Sequence, residues 1–124
     1  MIHLDTHVLV WAHLAKPRLL SQHAKMHLRR GPCRVSPMVL FELKYLQERG
    51  RLRESAKAVF ESVAAEIDLT VSDAPFAEIV EAAEAFAWTR DPFDRLIVAT
   101  AAWDGARLLT ADPTILENFP GAVW

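Results

Sequence analysis

At 124 residues the chain is long enough for one domain with a real core, and its 52% hydrophobic and 24% charged residues exclude a disordered chain. No apolar run approaches the ~18 residues a membrane span needs, and Asp5 and three histidines interrupt the apolar N-terminal stretch, so nothing marks export and a cytoplasmic protein is expected. The net charge of −2 hides a split: residues 1–60 hold eleven Lys/Arg against four Asp/Glu, and residues 61–124 hold three against twelve. Lys16, Arg18, Lys25, Arg29, Arg30 and Arg34 fall in an acid-free stretch from Thr6 to Phe41. Such asymmetry suits a polyanionic partner, and it equally suits two solvated helix faces of opposite sign. The one cysteine, Cys33, rules out an internal disulfide and a cysteine-based zinc site and reads as a small buried hydrophobe.

Residues 1–4 read as a short strand that ends at Asp5. A helix follows from about Thr6 to Leu14, closed before Pro17, since proline disfavours helix in the residue ahead of it. Ser21 is the expected N-cap of a second helix that stops at Gly31. Residues 33–35 form a brief strand, and Ser36-Pro37 supplies a cap and a first-turn proline for a helix running to Arg49. Another helix is predicted over 53–66. The alternation Ile-Asp-Leu-Thr-Val predicts a strand over 67–71. A helix then opens at Ser72 and Pro75 and runs to about Phe86. Asp91-Pro92 opens the next, which Gly105 ends. Residues 107–109 form a fourth strand, Asp112-Pro113 turns into a short helix, and 122–124 suit a fifth strand. Alternating strands and helices with short connections predict one α/β domain over 1–124, with a mostly parallel sheet of four or five strands covered on both faces.

Ligand sites in open parallel sheets lie outside the carboxyl ends of the strands. Asp5 directly follows the first strand and Asp112 follows the fourth. Asp91 and Asp94 begin a helix whose start gathers near that edge, while Glu42 lies in the first half of a helix. Each has an ordinary alternative: Asp5 and Asp91 as helix caps, Asp94 as a first-turn acid on the helix dipole, Asp112 as turn chemistry, Glu42 on a solvated face with Lys44 and Gln47. As a set they differ, because four distant segments each offer an acid at one edge. Clustered carboxylates raise one another's pKa and call for a cation. Mg²⁺ takes a few carboxylates, waters and substrate phosphates, and such a site can activate water against a phosphodiester. His23 and His27 are spaced i, i+4, which suits zinc, yet no third ligand has the right context.

The segments IHLDTHVLVWA, SPMVLFELKYL, RDPFDRLIVATA and LLTADPTI occur in that order along the chain. With these the sequence resembles the PIN-domain nucleases over its whole length, and within them the VapC toxins of type II toxin–antitoxin modules. The resemblance implies a three-layer α/β/α sandwich, Mg²⁺ or Mn²⁺ dependence, endonucleolytic cleavage of RNA, a homodimer, and neutralisation by a VapB-type antitoxin. It makes Asp5, Glu42, Asp94 and Asp112 the catalytic, metal-holding acids, with Thr6 and Thr110 as hydroxyl neighbours and Asp91 as an auxiliary acid. Val39 and Leu40 stand where many members have a second small polar residue. Arg90 and Arg95, close to the acids in sequence, are candidates for phosphate contact. Trp11, Leu40, Phe41 and Tyr45 suit either dimer or antitoxin contacts, or the core. A phosphatase of the haloacid-dehalogenase type wants a second acid where His7 stands. A PIN-like module that binds RNA or protein without cutting sits poorly with an intact acid set.

Overall fold

The computed structural model covers residues 1–124. Its elements run β1 Ile2–Leu4, α1 Thr6–His13, α2 Gln22–Arg30, β2 Cys33–Val35, α3 Pro37–Glu48, α4 Ala56–Ala64, β3 Leu69–Val71, α5 Phe76–Ala83, α6 Pro92–Trp103, β4 Arg107–Leu109, α7 Pro113–Asn118 and β5 Ala122–Val123. Side chains write most of the helix starts. Asp5, Ser21, Ser36, Ser55, Asp91 and Asp112 each accept a backbone N–H of the helix that follows. These bonds satisfy donors that the first turn leaves free. Gly50 and Gly105, with φ of +74° and +63°, let the chain leave α3 and α6 in the left-handed region.

The order of elements is the expected one, with differences at the edges. A 3₁₀ turn over Pro17–Leu19 was not foreseen. The fourth helix starts at Ala56 rather than 53, where the Ser55 hydroxyl accepts the Ala58 N–H at 3.1 Å. The fifth helix ends at Ala83 rather than Phe86. There Arg95 reaches across from α6 and donates to the carbonyls of Ala83 and Glu84, both at 3.1 Å. The third strand is shorter, beginning at Leu69.

All five strands are parallel, in the order β3-β2-β1-β4-β5. Every residue of β1 is buried, so helices cover both faces of the sheet's centre, as a three-layer sandwich requires. The core joins Leu4, Val8, Leu9, Val35, Leu43, Ile97 and Leu108, all fully buried. Each such side chain contributes about 1.5–3 kcal/mol of apolar transfer. Cys33 lies among them, and burial pushes its thiol up to about 11. No helix is long and apolar enough to cross a membrane.

This topology places the site. From β1 the chain steps outward to β2 and β3, then returns to the opposite side of β1 as β4. The order reverses between β1 and β4, and a crevice opens beyond their carboxyl ends. Register tightens the junction: Leu4 pairs Leu109, and the Asp5 N–H donates to the Leu109 carbonyl at 3.0 Å.

Candidate active site

A cavity of about 310 Å³ opens at that switch point, lined by Asp5, Thr6, His7, Val10, Trp11, Glu42, Leu46, Asp91, Asp94 and Asp112. All five acids singled out in the sequence border it, and no lysine or arginine does. Asp5 arrives from the end of β1, Glu42 from α3, Asp91 and Asp94 from the start of α6, and Asp112 from the loop after β4.

Asp5 is the most firmly held. It is buried, its Oδ1 accepts the Thr6 N–H at 2.8 Å, and its Oδ2 accepts the Thr110 hydroxyl at 2.7 Å. Thr110, also buried, accepts the Asp112 N–H at 3.1 Å, so one hydroxyl ties β1 to the β4 loop. The Thr6 hydroxyl donates to Glu42 Oε1 and links α1 to α3. Thr6 and Thr110 thus hold carboxylates from behind. Glu42 turns away from the solvated face of α3, where Lys44 is exposed, and toward the cavity.

The remaining acids divide their tasks. Asp91 is exposed and caps α6, accepting the N–H groups of Phe93 and Asp94 at 2.8 and 3.2 Å. Asp112 caps α7 through the Thr114 N–H at 2.8 Å. Asp94 accepts no hydrogen bond from another side chain. Burial, then the charges of Asp5, Asp91, Asp112 and Glu42, push its carboxyl up to about 8. Glu42 is raised as well, by burial first, against the Thr6 bond, with Asp5 and Asp91 adding to the rise. The capping expected of Asp91 and Asp112 therefore coexists with a place on the cavity.

Four segments thus crowd acids whose charges cannot all persist without a counter-charge. The donors are hard carboxylate oxygens, which suit Mg²⁺ or Mn²⁺. No three His, Cys, Asp or Glu side chains enclose a common point, so the site is no closed protein cage. Mg²⁺ asks for less, since it keeps several waters and uses one or two carboxylates with substrate phosphates. His23 and His27 stand with their Nε2 atoms 3.1 Å apart on α2, and no third ligand joins them.

The structure does not bring Arg90 and Arg95 to the acid cavity. Arg95 spends its guanidinium on the end of α5, and Arg90 donates to the Ala87 carbonyl at 2.7 Å. Both line a separate hollow with Val80 and Pro92. Arg95 follows Asp94 by one residue, and about 100° of helix rotation turns its side chain away from the cavity, while Arg90 lies in the segment before α6. Arg34, from the acid-free stretch of the sequence, is half-buried, with its guanidinium 3.4 Å from Asp104. Asp104 also accepts from Ser72 at 3.1 Å and meets His3 at 2.7 Å, a polar network that sequence reading missed.

His7, Val10, Trp11 and Leu46 also went unrecognised as site residues. A signal was present: His7 and Trp11 are i, i+4 on the helix that Asp5 opens, and Glu42 and Leu46 are i, i+4 on α3. Of the apolar residues with open roles, Leu40 packs on the core, while Phe41 and Tyr45 are exposed and flank Phe93 at 6.1 and 5.6 Å.

Residues 2–119 match the PIN domain family. Comparison with curated proteins gives no match. Among solved structures, the chain is similar to one in a toxin–antitoxin complex from Klebsiella pneumoniae, with a TM-score of 0.67 at 17% identity over 100% of this chain and 97% of that one. It is also similar to a chain of VapBC2 from Rickettsia felis bound to a DNA fragment from their promoter, with a TM-score of 0.66 at 20% identity over 99% and 96%.

Proposed function

The chain belongs to the PIN-domain family, and on that premise we propose that it is a metal-dependent endoribonuclease, the toxin of a VapBC-type toxin–antitoxin module. The observation that carries the reading is the cavity that Asp5, Glu42, Asp94 and Asp112 border from four segments, with Asp94 pushed up to about 8 by burial and by the neighbouring acids. The names of the two structural relatives support the toxin half of the reading.

In this reading Asp5, Glu42, Asp94 and Asp112 would hold Mg²⁺ or Mn²⁺, with Asp91 as an auxiliary acid. When bound, such an ion supplies charge neutralisation and Lewis acidity at a phosphodiester. The chain's own part is positioning. Thr110 and the Thr6 N–H fix both Asp5 oxygens, and the Thr6 hydroxyl fixes Glu42. Asp94, raised to about 8, holds a proton at neutral pH in the metal-free protein, and a bound cation would favour its ionised form. The substrate is RNA, the protein acts in the cytoplasm as a homodimer, and a VapB-type antitoxin silences it. The exposed Phe41 and Tyr45 face of α3, beside the cavity, is where those protein contacts fit best. Purified protein is expected to cleave RNA in Mg²⁺ or Mn²⁺, and Asp5→Asn to cut the rate at least ~100-fold, as loss of a central electrostatic group does. Equal cleavage by wild type and Asp5→Asn would overturn the reading.

A further inference from the structure

Trp11 is partly buried, yet it does not pack on the hydrophobic core that engages its neighbours Val10 and Ala12. Its ring meets the His7 ring at 4.8 Å between centroids and the Trp124 ring at 5.9 Å, and His7 lies 6.3 Å from Trp124. The three rings form a triangle on one side of the acid cavity. His7 is anchored there, because its Nε2 accepts the Ala111 N–H at 2.8 Å. That bond places the ring proton on Nδ1, which faces Asp5 Oδ2 at 3.6 Å. A second cavity of about 330 Å³ adjoins, lined by His7, Trp11, Ala111, Asp112 and Pro113. His7, Trp11 and Asp112 border both cavities.

The two hollows suit different halves of one nucleotide. The acid cavity takes a phosphate only through a cation. Its aromatic neighbour, beside the same negative field, repels phosphate and favours a flat uncharged group. A base linked through ribose to a phosphate at the acids falls within reach of that neighbour. Its volume lies at the low end of the ~300–1,000 Å³ range of small-ligand sites, which fits one base and not a run of them. Only an unpaired strand leaves a base free to stack on an aromatic ring.

We propose that the cavity bounded by Trp11 and His7 is a subsite for the nucleobase beside the scissile phosphate of single-stranded RNA, with the base stacked on Trp11. The proposal rests on the ribonuclease reading above and deepens it. The test uses a fluorescein-labelled single-stranded oligoribonucleotide and a series of its copies, each with one abasic position. Binding is measured by anisotropy in Mg²⁺ to protein silenced by Asp5→Asn. One abasic position is expected to weaken binding about tenfold, as loss of a base–aromatic stack does. Adding Trp11→Leu gives the same tenfold loss with the intact RNA and erases the abasic penalty, while Trp11→Phe restores most of the affinity. Equal binding with and without Trp11→Leu, or an abasic penalty that survives it, overturns the subsite. Cleavage of the same RNA by wild type is scored separately. Cleavage without a Trp11 effect sinks the subsite alone, whereas a Trp11 effect without cleavage sinks the nuclease reading and, with it, the placement of the base beside a scissile phosphate.

Discussion

Asp94 costs the metal-free protein stability at neutral pH. Its folded pKa of about 8 lies above the ordinary 3.8, so the folded state binds the proton more tightly than the unfolded chain. Its contribution is fully present below about pH 4 and is lost as pH rises toward 8. Asp94→Asn is therefore expected to raise the melting temperature in EDTA at pH 8, by about 4 °C for each kcal/mol recovered, and by much less at pH 4. Thermal melts at the two values check this, and an equal shift at both would contradict it. Thr110 is the converse case, a buried hydroxyl that bonds Asp5 and the Asp112 N–H. Thr110→Val should cost about 1–3 kcal/mol, as orphaned buried partners do, and also slow RNA cleavage. Thr110→Ser should restore both, as followed by the urea midpoint at constant slope and by a cleavage assay.

At the scale of elements, the site depends on how α3 and α6 are set against the sheet, since they carry Glu42 and Asp94. A buried bond helps fix them: the Ser36 hydroxyl, whose oxygen caps α3, donates to the Thr100 hydroxyl oxygen of α6 at 3.1 Å, while Thr100 gives its own proton to the Leu96 carbonyl at 2.6 Å. Arg95 joins α6 to the end of α5 through two carbonyls. Its planar fork suits that paired acceptance, and a lysine does not reproduce it. Arg95→Ala and Arg95→Lys should both lower stability by about 1–3 kcal/mol, as loss of hydrogen bonds to a charged group does. The KM for RNA should stay unchanged. A rise in KM at constant stability would return Arg95 to the phosphate role its sequence position suggested.

For the whole molecule, the proposed cation site would link metal binding to folding. A divalent ion that binds only the folded state raises stability with concentration, and it competes with the Asp94 proton. In Mg²⁺ or Mn²⁺ the melting temperature should rise, and rise more at pH 8 than at pH 5, while in EDTA it should fall from pH 6.5 to pH 8. A thermal shift independent of pH would count against Asp94 as a ligand. The acid side has its own limit. Burial lowers the pKa of His3 despite the Asp104 carboxylate beside it. Burial opposes the Asp104 charge, yet its bonds to His3, Ser72 and Arg34 hold its pKa below the ordinary value. Both residues make the folded state bind fewer protons than the unfolded chain. Stability tied to this network is lost as pH falls below about 6.5 for His3, and below about 4 for Asp104.

Much of this was written locally. Serines, aspartates, prolines and glycines at the ends of helices set the order of elements, because caps and breakers act through their nearest backbone neighbours. The position of Asp5 and Asp112 just after strands was legible on the same ground, given a parallel sheet. The four motif segments carried the family resemblance, to which the PIN domain match over residues 2–119 corresponds. Other features needed the folded chain. The face that Glu42 presents depends on the rotation of α3, and the Asp5–Thr110 bond joins residues 105 positions apart. The capture of Arg95 by α5, the burial of Arg34 against Asp104 and the ring triangle at Trp11 are likewise long-range. Local signals specify where the chain turns, whereas helix rotation and the β1–β4 switch decide which side chains meet.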